Sequence, residues 1–392
     1  MPRQAQRQAR EPLLTRAFVL LTASDLAYFL GTGILVFATP LFATGPLGSG
    51  PAQVGLAMGS FSVTTLALRP WLGRWTDRHG RRALLVGGAA AFALVVLGHL
   101  VVDSLAGLVV VRLLLGAAEA CYFVAGFAAL ADLAPPARAG EALSLNSLAM
   151  YTGIALGPVV GQGLVAVGGY PAAWVGAACS VAVAAALVAA VPETRGTVEP
   201  GGEVPPLLHP AVRGPGAALG LGLLVMSAFM PFSVLLASEA GIELVSAGLL
   251  VFGSTVVVCR LVFATLPDRL PAAPLAAGAL VASGAGMLLL GTWPTVVGLV
   301  AGALVCGLGA AFLTPAVFGL VFRAVPPAER GAAAGGLSMF VDLGLTGGPL
   351  VLGTVAAGTG LAPAFALMAL PPLVGAVVLR PRVRPTPVRP AG

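Results

Sequence analysis

Residues 69–82 read RPWLGRWTDRHGRR, and a related stretch, RLVFATLPDRLPAA, lies 191 residues later at 260–273. Both stretches keep an arginine, an aspartate and a second arginine at the same spacing. The same offset of 191 also relates a glycine and proline pattern in two apolar segments, Gly153, Gly157 and Pro158 to Gly344, Gly348 and Pro349. A constant offset over several motifs predicts two copies of one structural unit.

The segments around these motifs are strongly apolar. Hydrophobic residues make up 58% of the 392 residues and charged residues only 9%, whereas soluble domains carry about 25% charged residues. A helix needs about 20 apolar residues to cross a bilayer. Twelve segments meet this length, and we refer to them as spans 1 to 12: 16–42, 51–72, 83–101, 104–130, 142–167, 171–191, 215–238, 243–266, 274–292, 294–322, 332–356 and 360–379.

The repeat and the spans together predict an all-α integral membrane protein. Its 12 transmembrane helices form two six-helix bundles related by a parallel repeat, with an axis along the membrane normal. We expect an N-terminal bundle at 1–191, a cytoplasmic linker at 192–214, and a C-terminal bundle at 215–392 that ends in a short basic tail.

The arginines predict how the chain sits in the membrane. All 21 basic residues are arginine, and twenty of them fall on the same side of the twelve spans. Because basic loops remain in the cytoplasm, we expect both termini to be cytoplasmic and the protein to lie in the plasma membrane. The basic charge follows one membrane face, so it does not indicate a nucleic-acid partner.

Several classes of protein are excluded by what the sequence lacks. Without lysine there is no Walker A loop for ATP. The four cysteines and three histidines have no spacing typical of a metal site, and no GxSxG elbow is present. We therefore expect neither an enzyme nor a metal, and no cofactor beyond a proton gradient as the energy source.

The stretch after span 2 resembles the signature GxxxDRxGRR of the major facilitator superfamily, and the resemblance covers essentially the whole chain. It implies transport by alternating access, with this stretch as a cytoplasmic loop that gates the conformational change. The matching residues and their neighbours in both copies are Gly73, Asp77, Arg78, Gly80, Arg81, Arg82, Arg69, Asp268 and Arg269. A role that is limited to orienting the protein stays open for these arginines.

Two further motifs resemble the same family. Arg112 in span 4 is similar to its RxxxG motif. Span 5 resembles the motif of its proton-coupled exporters through Gly153, Gly157, Pro158 and Gly161, while Ser144 and Gln162 depart from the pattern. Span 11 repeats the core of this motif, so close helix packing through small residues is the alternative explanation.

Four ionisable residues lie well inside the spans, at Asp25, Arg112, Glu119 and Asp342. Each costs at least about 2.5–3.5 kcal/mol at the centre of a membrane helix, so an idle one is not expected. None is kept by the repeat, and the family resemblance implies that spans 1, 4 and 11 line the central cavity.

Each of these charges has a functional and a structural interpretation. Burial favours the neutral form of a carboxyl group, which makes Glu119 a candidate proton carrier. Asp25 and Asp342 are candidates for carrying a proton or for neutralising a cationic substrate, and a hydrogen bond between helices is the alternative. For Arg112 the alternative is a structural tie to backbone carbonyls or to a neighbouring helix.

Polar and aromatic residues complete the predicted cavity, with packing as their alternative role. They are Asn146, Tyr28, Tyr122 and Tyr151, together with Gln162, Phe29, Phe123 and Phe340. Three acids against one arginine inside the spans favour a neutral or cationic lipophilic substrate.

The predicted function is secondary active transport by alternating access, with proton-coupled efflux of a small amphiphilic or drug-like molecule. A proton-coupled or facilitative importer of a small metabolite is the alternative, and a non-transporting membrane sensor or scaffold is a distant third. We expect a small-molecule substrate, protons and the lipid bilayer as partners, and a monomeric protein.

Overall fold

The structure is a computed structural model that describes residues 12–135, 138–194, 210–263, 266–326 and 329–379. Within these ranges all regular structure is helical, and no described residue belongs to a strand. The predicted all-α fold is therefore confirmed.

Every predicted span lies on helix. In the first half the helices run Arg16–Thr44, Pro51–His79, Arg82–Val96, Leu105–Leu133 and Ala139–Ala189, with a 3-10 turn at Leu97–Val101. In the second half they run Arg213–Glu239, Ala247–Val262, Leu266–Arg269, Ala272–Thr292, Val296–Ala324, Arg330–Thr359, Leu361–Leu367 and Leu370–Val378.

Spans 5 and 6 share the long helix Ala139–Ala189, which is kinked rather than continuous. Gly168 and Gly169 have non-helical backbone angles, and φ of Gly169 is +66°. This is a conformation that glycine adopts at little cost. The kink separates two limbs, and each limb is long enough to cross a bilayer.

Nine of the described helical segments are long and apolar enough to span a membrane. The number is smaller than twelve for three reasons. Spans 5 and 6 count as one helix, span 8 is only the 16-residue helix Ala247–Val262, and the helix of span 2 is less apolar than the other long helices.

Two predicted boundaries are wrong. The stretch after span 2 was expected to be a loop, but its helix continues to His79 and ends where Gly80 takes a φ of +97°. A positive φ suits glycine after the last helical residue and stops the helix there. The helix of span 8 is shorter than expected, ending at Val262.

The helix contacts follow the repeat. In the first bundle, span 1 packs on spans 5 and 6, and span 2 packs on span 4. In the second bundle, the equivalent span 7 packs on spans 11 and 12, and span 8 packs on span 10. The two sets of six meet mainly through span 2 with span 11 and span 5 with span 8. The boundaries predicted for the bundles and linker stay a prediction, since 195–209 and 380–392 lie outside the described residues.

Candidate functional site

The two bundles are packed together at one end. We call the end with the arginine-bearing connections the basic end, and the other the non-basic end. At the non-basic end span 2 and span 11 touch through two glycines. A Cβ added to Gly353 would lie 2.9 Å from the Gly55 Cα and 2.6 Å from the Pro51 carbonyl oxygen. The backbones are therefore in contact, with no space for a side chain between them.

The repeat-related interface at the same end is closed by a side chain. Gln162 on span 5 donates from Nε2 to the Glu243 carbonyl oxygen at 2.8 Å, and its Oε1 accepts from the Ser246 backbone N–H at 2.9 Å. The offset of 191 relates Gln162 to Gly353 and Ser246 to Gly55. The side-chain amide of Gln162 therefore joins the bundles at the interface of spans 5 and 8. At the repeat-related interface of spans 2 and 11, two glycines make the contact instead.

Asp25 lies in a buried hydrogen-bond chain inside the first bundle. The Tyr122 hydroxyl donates to Asp25 Oδ1 at 2.7 Å and lies 2.8 Å from the Ser24 hydroxyl. Ser24 donates in turn to the Ala184 carbonyl oxygen at 3.0 Å. The chain connects spans 1, 4 and 6, and it gives Asp25 a hydroxyl partner rather than a basic one.

Glu119 lies beside this chain. Its Oε2 atom is buried beside the hydroxyl of Tyr28, which acts on this carboxylate, but among the described residues neither atom makes a hydrogen bond of good geometry. The Tyr28 and Tyr122 rings stack with centroids 4.0 Å apart and an interplanar angle of 3°. Arg112 and Arg69 act on Glu119 only from beyond ion-pair distance. The two acids therefore share an aromatic environment without a salt bridge.

A narrow cleft lies next to Asp25, with a cavity volume of about 10 Å³. Its lining combines the predicted polar residues with aromatic and apolar ones: Asp25, Asn146, Tyr122, Phe29, Phe123, Phe127, Gly126 and Met150. Asn146 is buried, and its Oδ1 atom has no hydrogen-bond partner in the described part of the chain. A few convergent polar groups in an aromatic wall have the character of an amphiphile site, but in this conformation the cleft has room for about one water molecule, so a small molecule could enter only after the helices move apart.

Arg112 lies outside this cleft. Its guanidinium stands over the Phe61 ring, 4.6 Å from the centroid, and its Nε lies 3.4 Å from the Ala57 carbonyl oxygen. Both partners belong to span 2. The geometry corresponds to the structural alternative, a tie between spans 4 and 2.

Asp342 also lies apart from Asp25 and Glu119, and it bridges the two bundles. Its Oδ1 is 2.6 Å from Nη1 of Arg69 on span 2, and the Arg69 guanidinium lies 5.3 Å from the Phe123 ring. The four charges inside the spans thus form three separate groups. Arg69, predicted as part of the gate, belongs to the cleft region through Phe123.

Tyr151 holds the repeat-related position to Asp342 and also meets an arginine of the other bundle. The Arg260 guanidinium lies 4.8 Å from the Tyr151 ring centroid. The sequence did not single out Arg260 as a site residue. Its position 191 residues after Arg69 is the signal that would have found it.

The signature stretch at the basic end is organised around two acids that the sequence did not single out. Arg81 pairs with Asp132 at the end of span 4, with Nε and Oδ2 3.1 Å apart. Glu193 accepts from the backbone N–H groups of Arg81 at 2.7 Å and Arg82 at 3.3 Å. A Cβ on Gly80 would collide with this carboxylate. Asp132 and Glu193 lie at the ends of spans, where a charged side chain has little free-energy cost. The sequence therefore contains no signal that distinguishes them from other polar residues at span ends.

The other residues of the predicted gate contribute less. Arg78 and Arg269 are exposed, and the Arg82 guanidinium donates to the Ala189 carbonyl oxygen at 2.5 Å. A Cβ on Gly73 would meet nothing within 4 Å. The side chains of Asp77 and Asp268 lie outside what the structure describes, so their gate role stays a prediction.

The span 5 motif lies against span 1. A Cβ on Gly157 would lie 2.7 Å from the Gly33 Cα, and one on Gly153 would lie 2.7 Å from the Leu26 carbonyl oxygen. Pro158 and Gly161 continue the same contact. In span 11, Gly344 and Gly348 pack on span 7 in the same manner. This contact corresponds to the packing alternative.

No group of histidine, cysteine, aspartate or glutamate among the described residues is arranged to hold a metal ion. What the fold and the cleft define instead is a membrane transporter, since two parallel-repeat bundles with a polar site between their helices are the architecture of secondary transporters.

A sequence profile of the Major Facilitator Superfamily matches residues 21–292 and 216–392. The chain belongs to this superfamily. It is a multi-pass membrane protein of a transporter family, with a small-molecule substrate and the lipid bilayer as its partners, and not an enzyme.

Relatives of similar length support the same family. The chain is 32% identical over 411 residues to an uncharacterized MFS-type transporter of Pseudomonas aeruginosa, covering 97% of each chain. It is 29% identical over 373 residues to another of Salmonella typhimurium, covering 92% of this chain and 94% of that one.

Solved structures confirm the fold. A bacterial homolog of the human lysosomal transporter Spinster, in an inward-facing and occupied conformation, superimposes with a TM-score of 0.79 at 15% identity, covering 94% of this chain and 96% of that chain. A nucleoside transporter superimposes with a TM-score of 0.71 at 16% identity, covering 93% and 98%.

Proposed function

We propose that the protein exports a small amphiphilic or drug-like molecule across the plasma membrane in exchange for protons, and that it works as a monomer. The observation that carries the proposal is the pair of acids inside the spans beside an aromatic cleft: Asp25, which is buried, and Glu119, which is half-buried with a buried Oε2 atom. Neither acid has a basic partner within 4.0 Å among the described residues.

The surroundings of the two acids suit reversible protonation. A carboxyl group that is buried without a cation is most stable in its neutral form, and access to water favours the charged form. Asp25 and Glu119 therefore gain or lose a proton as their water access changes. The chain Ser24–Tyr122–Asp25 holds one of these carboxyl groups at the wall of the cleft.

We infer the orientation from the arginines, whose position favours a cytoplasmic location for the basic end and both termini. With that orientation the closed non-basic end faces outward, as expected before the bundles rock outward. The substrate enters the cleft from the cytoplasm or the inner leaflet, and the bundles then rock outward. External protons load Asp25 and Glu119 and displace the substrate, and the return inward releases the protons.

Partial relatives favour export. The chain is 33% identical over 144 residues to multidrug resistance protein 1 of Bacillus subtilis, which is 36% of each chain. The second candidate is import of a small metabolite, because the chain is also 30% identical over 146 residues to a putative metabolite transport protein of the same organism. Resistance to toxic amphiphiles, as opposed to growth on scarce nutrients, distinguishes the two directions.

The coupling is tested in proteoliposomes with an imposed proton gradient, using an amphiphile to which expressing cells become resistant. Asp25→Asn and Glu119→Gln are expected to abolish gradient-driven flux and to retain exchange of labelled substrate without a gradient. Asp342→Asn tests whether the third acid takes part. Asp103→Asn removes an exposed acid at the non-basic end and is the control. Gradient-driven flux that survives in all three variants would show that the coupling assignment is wrong.

A further inference from the structure

Two arginines occupy repeat-related positions at the two contacts between the bundles. Arg69 and Arg260 are 191 residues apart, and so are their partners Tyr151 and Asp342. Arg69 reaches the carboxylate of Asp342, whereas Arg260 reaches the ring of Tyr151. The same place in the fold thus holds an arginine with an internal carboxylate at one interface and an arginine without one at the other.

Arg260 has no acidic partner within the part of the chain that the structure describes, where no carboxylate oxygen lies within 4.0 Å of it. Its Nε atom is buried and has no acceptor among the residues that the structure describes. A cation inside a membrane helix is costly unless an anion or an acceptor compensates for it. Arg260 lies in the last turn of its helix, where the helix dipole favours a cation, but the dipole does not supply an acceptor for Nε.

Arg112 provides an internal comparison. It also lacks a carboxylate within ion-pair distance, but it is 5% exposed and its Nε has a carbonyl oxygen nearby. Arg260 is only half-buried, whereas Arg112 is buried. A buried arginine that contacts a ring and a carbonyl oxygen links two helices. A half-buried arginine whose Nε lacks an acceptor among the described residues has the character of a binding residue.

We propose that Arg260 and Tyr151 form a subsite for a carboxylate on the transported amphiphile. The identity of this ligand as the transported molecule rests on the proposed function. The ring of Tyr151, 8% exposed, covers one face of the guanidinium. The edge of a guanidinium stays free in such a stack, and its N–H groups match the two oxygens of a carboxylate.

The Arg69–Asp342 pair shows that an arginine at this position of the repeat can bind a carboxylate. At that interface the chain itself supplies the carboxylate, through Asp342. The subsite also changes the charge balance that the sequence suggested. Three acids faced one arginine inside the spans, but the tertiary structure adds Arg69 and Arg260 to the interface between the bundles. Acids and arginines are then equal in number, and an anionic group is no longer disfavoured.

The subsite is tested by binding to the purified full chain in detergent without a proton gradient. The probes are 2-naphthoate, 2-naphthylmethylammonium and 2-naphthalenemethanol, which share one ring system and differ in charge. Titrated thermal unfolding is expected to show stabilisation by the carboxylate above the other two. Arg260→Gln should weaken binding of the carboxylate roughly tenfold or more, since it removes a charged hydrogen-bond partner. Arg213→Gln removes an exposed arginine of the same end and should change nothing.

A second pair of variants keeps the result interpretable if Arg260→Gln does not fold. Tyr151→Asp gives Arg260 the internal carboxylate that Arg69 already has, and it should abolish binding of 2-naphthoate although Arg260 is intact. Tyr151→Phe retains the ring and should bind within about threefold of the wild type, because the stacking face is kept. Failure of the wild type to bind 2-naphthoate, equal binding of all three probes, or unchanged binding in Tyr151→Asp overturns the proposal. Because no gradient is used, loss of proton-driven flux does not affect this outcome.

Discussion

The amide of Gln162 is the sharpest point at which the closure of the non-basic end can be tested. Its two hydrogen bonds, to the Glu243 carbonyl oxygen and the Ser246 N–H, are the side-chain bonds that join span 5 of one bundle to the start of span 8 in the other. Gln162→Ala removes both bonds and leaves the helix able to form.

The expected size of the effect follows from these two bonds. Each contributes about 0.5–1.5 kcal/mol net, so their loss destabilises the closed end by about 1–3 kcal/mol. A difference of this size shifts a two-state equilibrium roughly 5- to 150-fold. The Gly55–Gly353 contact on the other side is untouched, so the bundles should open there less readily than at span 8.

Distances between spin labels at the non-basic end measure this shift. Val167 and Val297 are exposed at that end, one on each bundle, and accept labels as cysteines once the four native cysteines are replaced. Gln162→Ala should raise the ratio of the long-distance to the short-distance population by the factor given above. Gln53→Ala is the control, because the Gln53 amide accepts from Gly50 within one bundle. A ratio that stays within about twofold of the wild type, or an equal change in Gln53→Ala, would refute the reasoning.

Three further results are expected. Tyr122→Phe removes the hydroxyl that bridges Ser24 and Asp25. This variant should show slower gradient-driven flux but unchanged substrate binding, with both quantities measured on the same preparation. Gly157→Ala forces span 5 away from span 1 and should cost about 1–3 kcal/mol, seen as a lower Tm, whereas Gly163→Ala, whose Cβ meets nothing within 4 Å, should not. Glu193→Gln loses a charge at the N-terminus of the span 3 helix and should lower stability by about 0.3–1 kcal/mol at low salt; an unchanged Tm would contradict that role.

Much of the fold could be read from local chemistry. Helix formation in a bilayer leaves the backbone no other partner, so twenty apolar residues in a row already specify a helix. The repeat added that the spans form two equivalent bundles of six. Boundaries were less secure: the helix of span 2 runs on to His79 because Gly80 takes the positive φ that ends it, and the charged motif before it gave no sign of this.

The candidate site was predicted less completely, because distance along the chain does not reveal which side chains meet. The acids Asp25 and Glu119 and the tyrosines Tyr28 and Tyr122 do lie together. Arg112, only seven residues from Glu119, contacts span 2 instead. The cost of a buried charge marks a residue as unusual, but it does not distinguish a helix tie from a site.

By itself the sequence determined the class of protein and the approximate range of each span, since these depend on hydropathy along the chain, and it predicts an arginine-bearing membrane face from the position of the charges. Only the tertiary structure decided which contacts cross between the bundles. Asp342 is the partner of Arg69, Gln162 joins span 5 to span 8, and Arg260 stacks on Tyr151 without an acidic partner among the described residues. These contacts join residues from different bundles, and the short range of hydrogen bonds and ion pairs means that they exist only once the helices have packed.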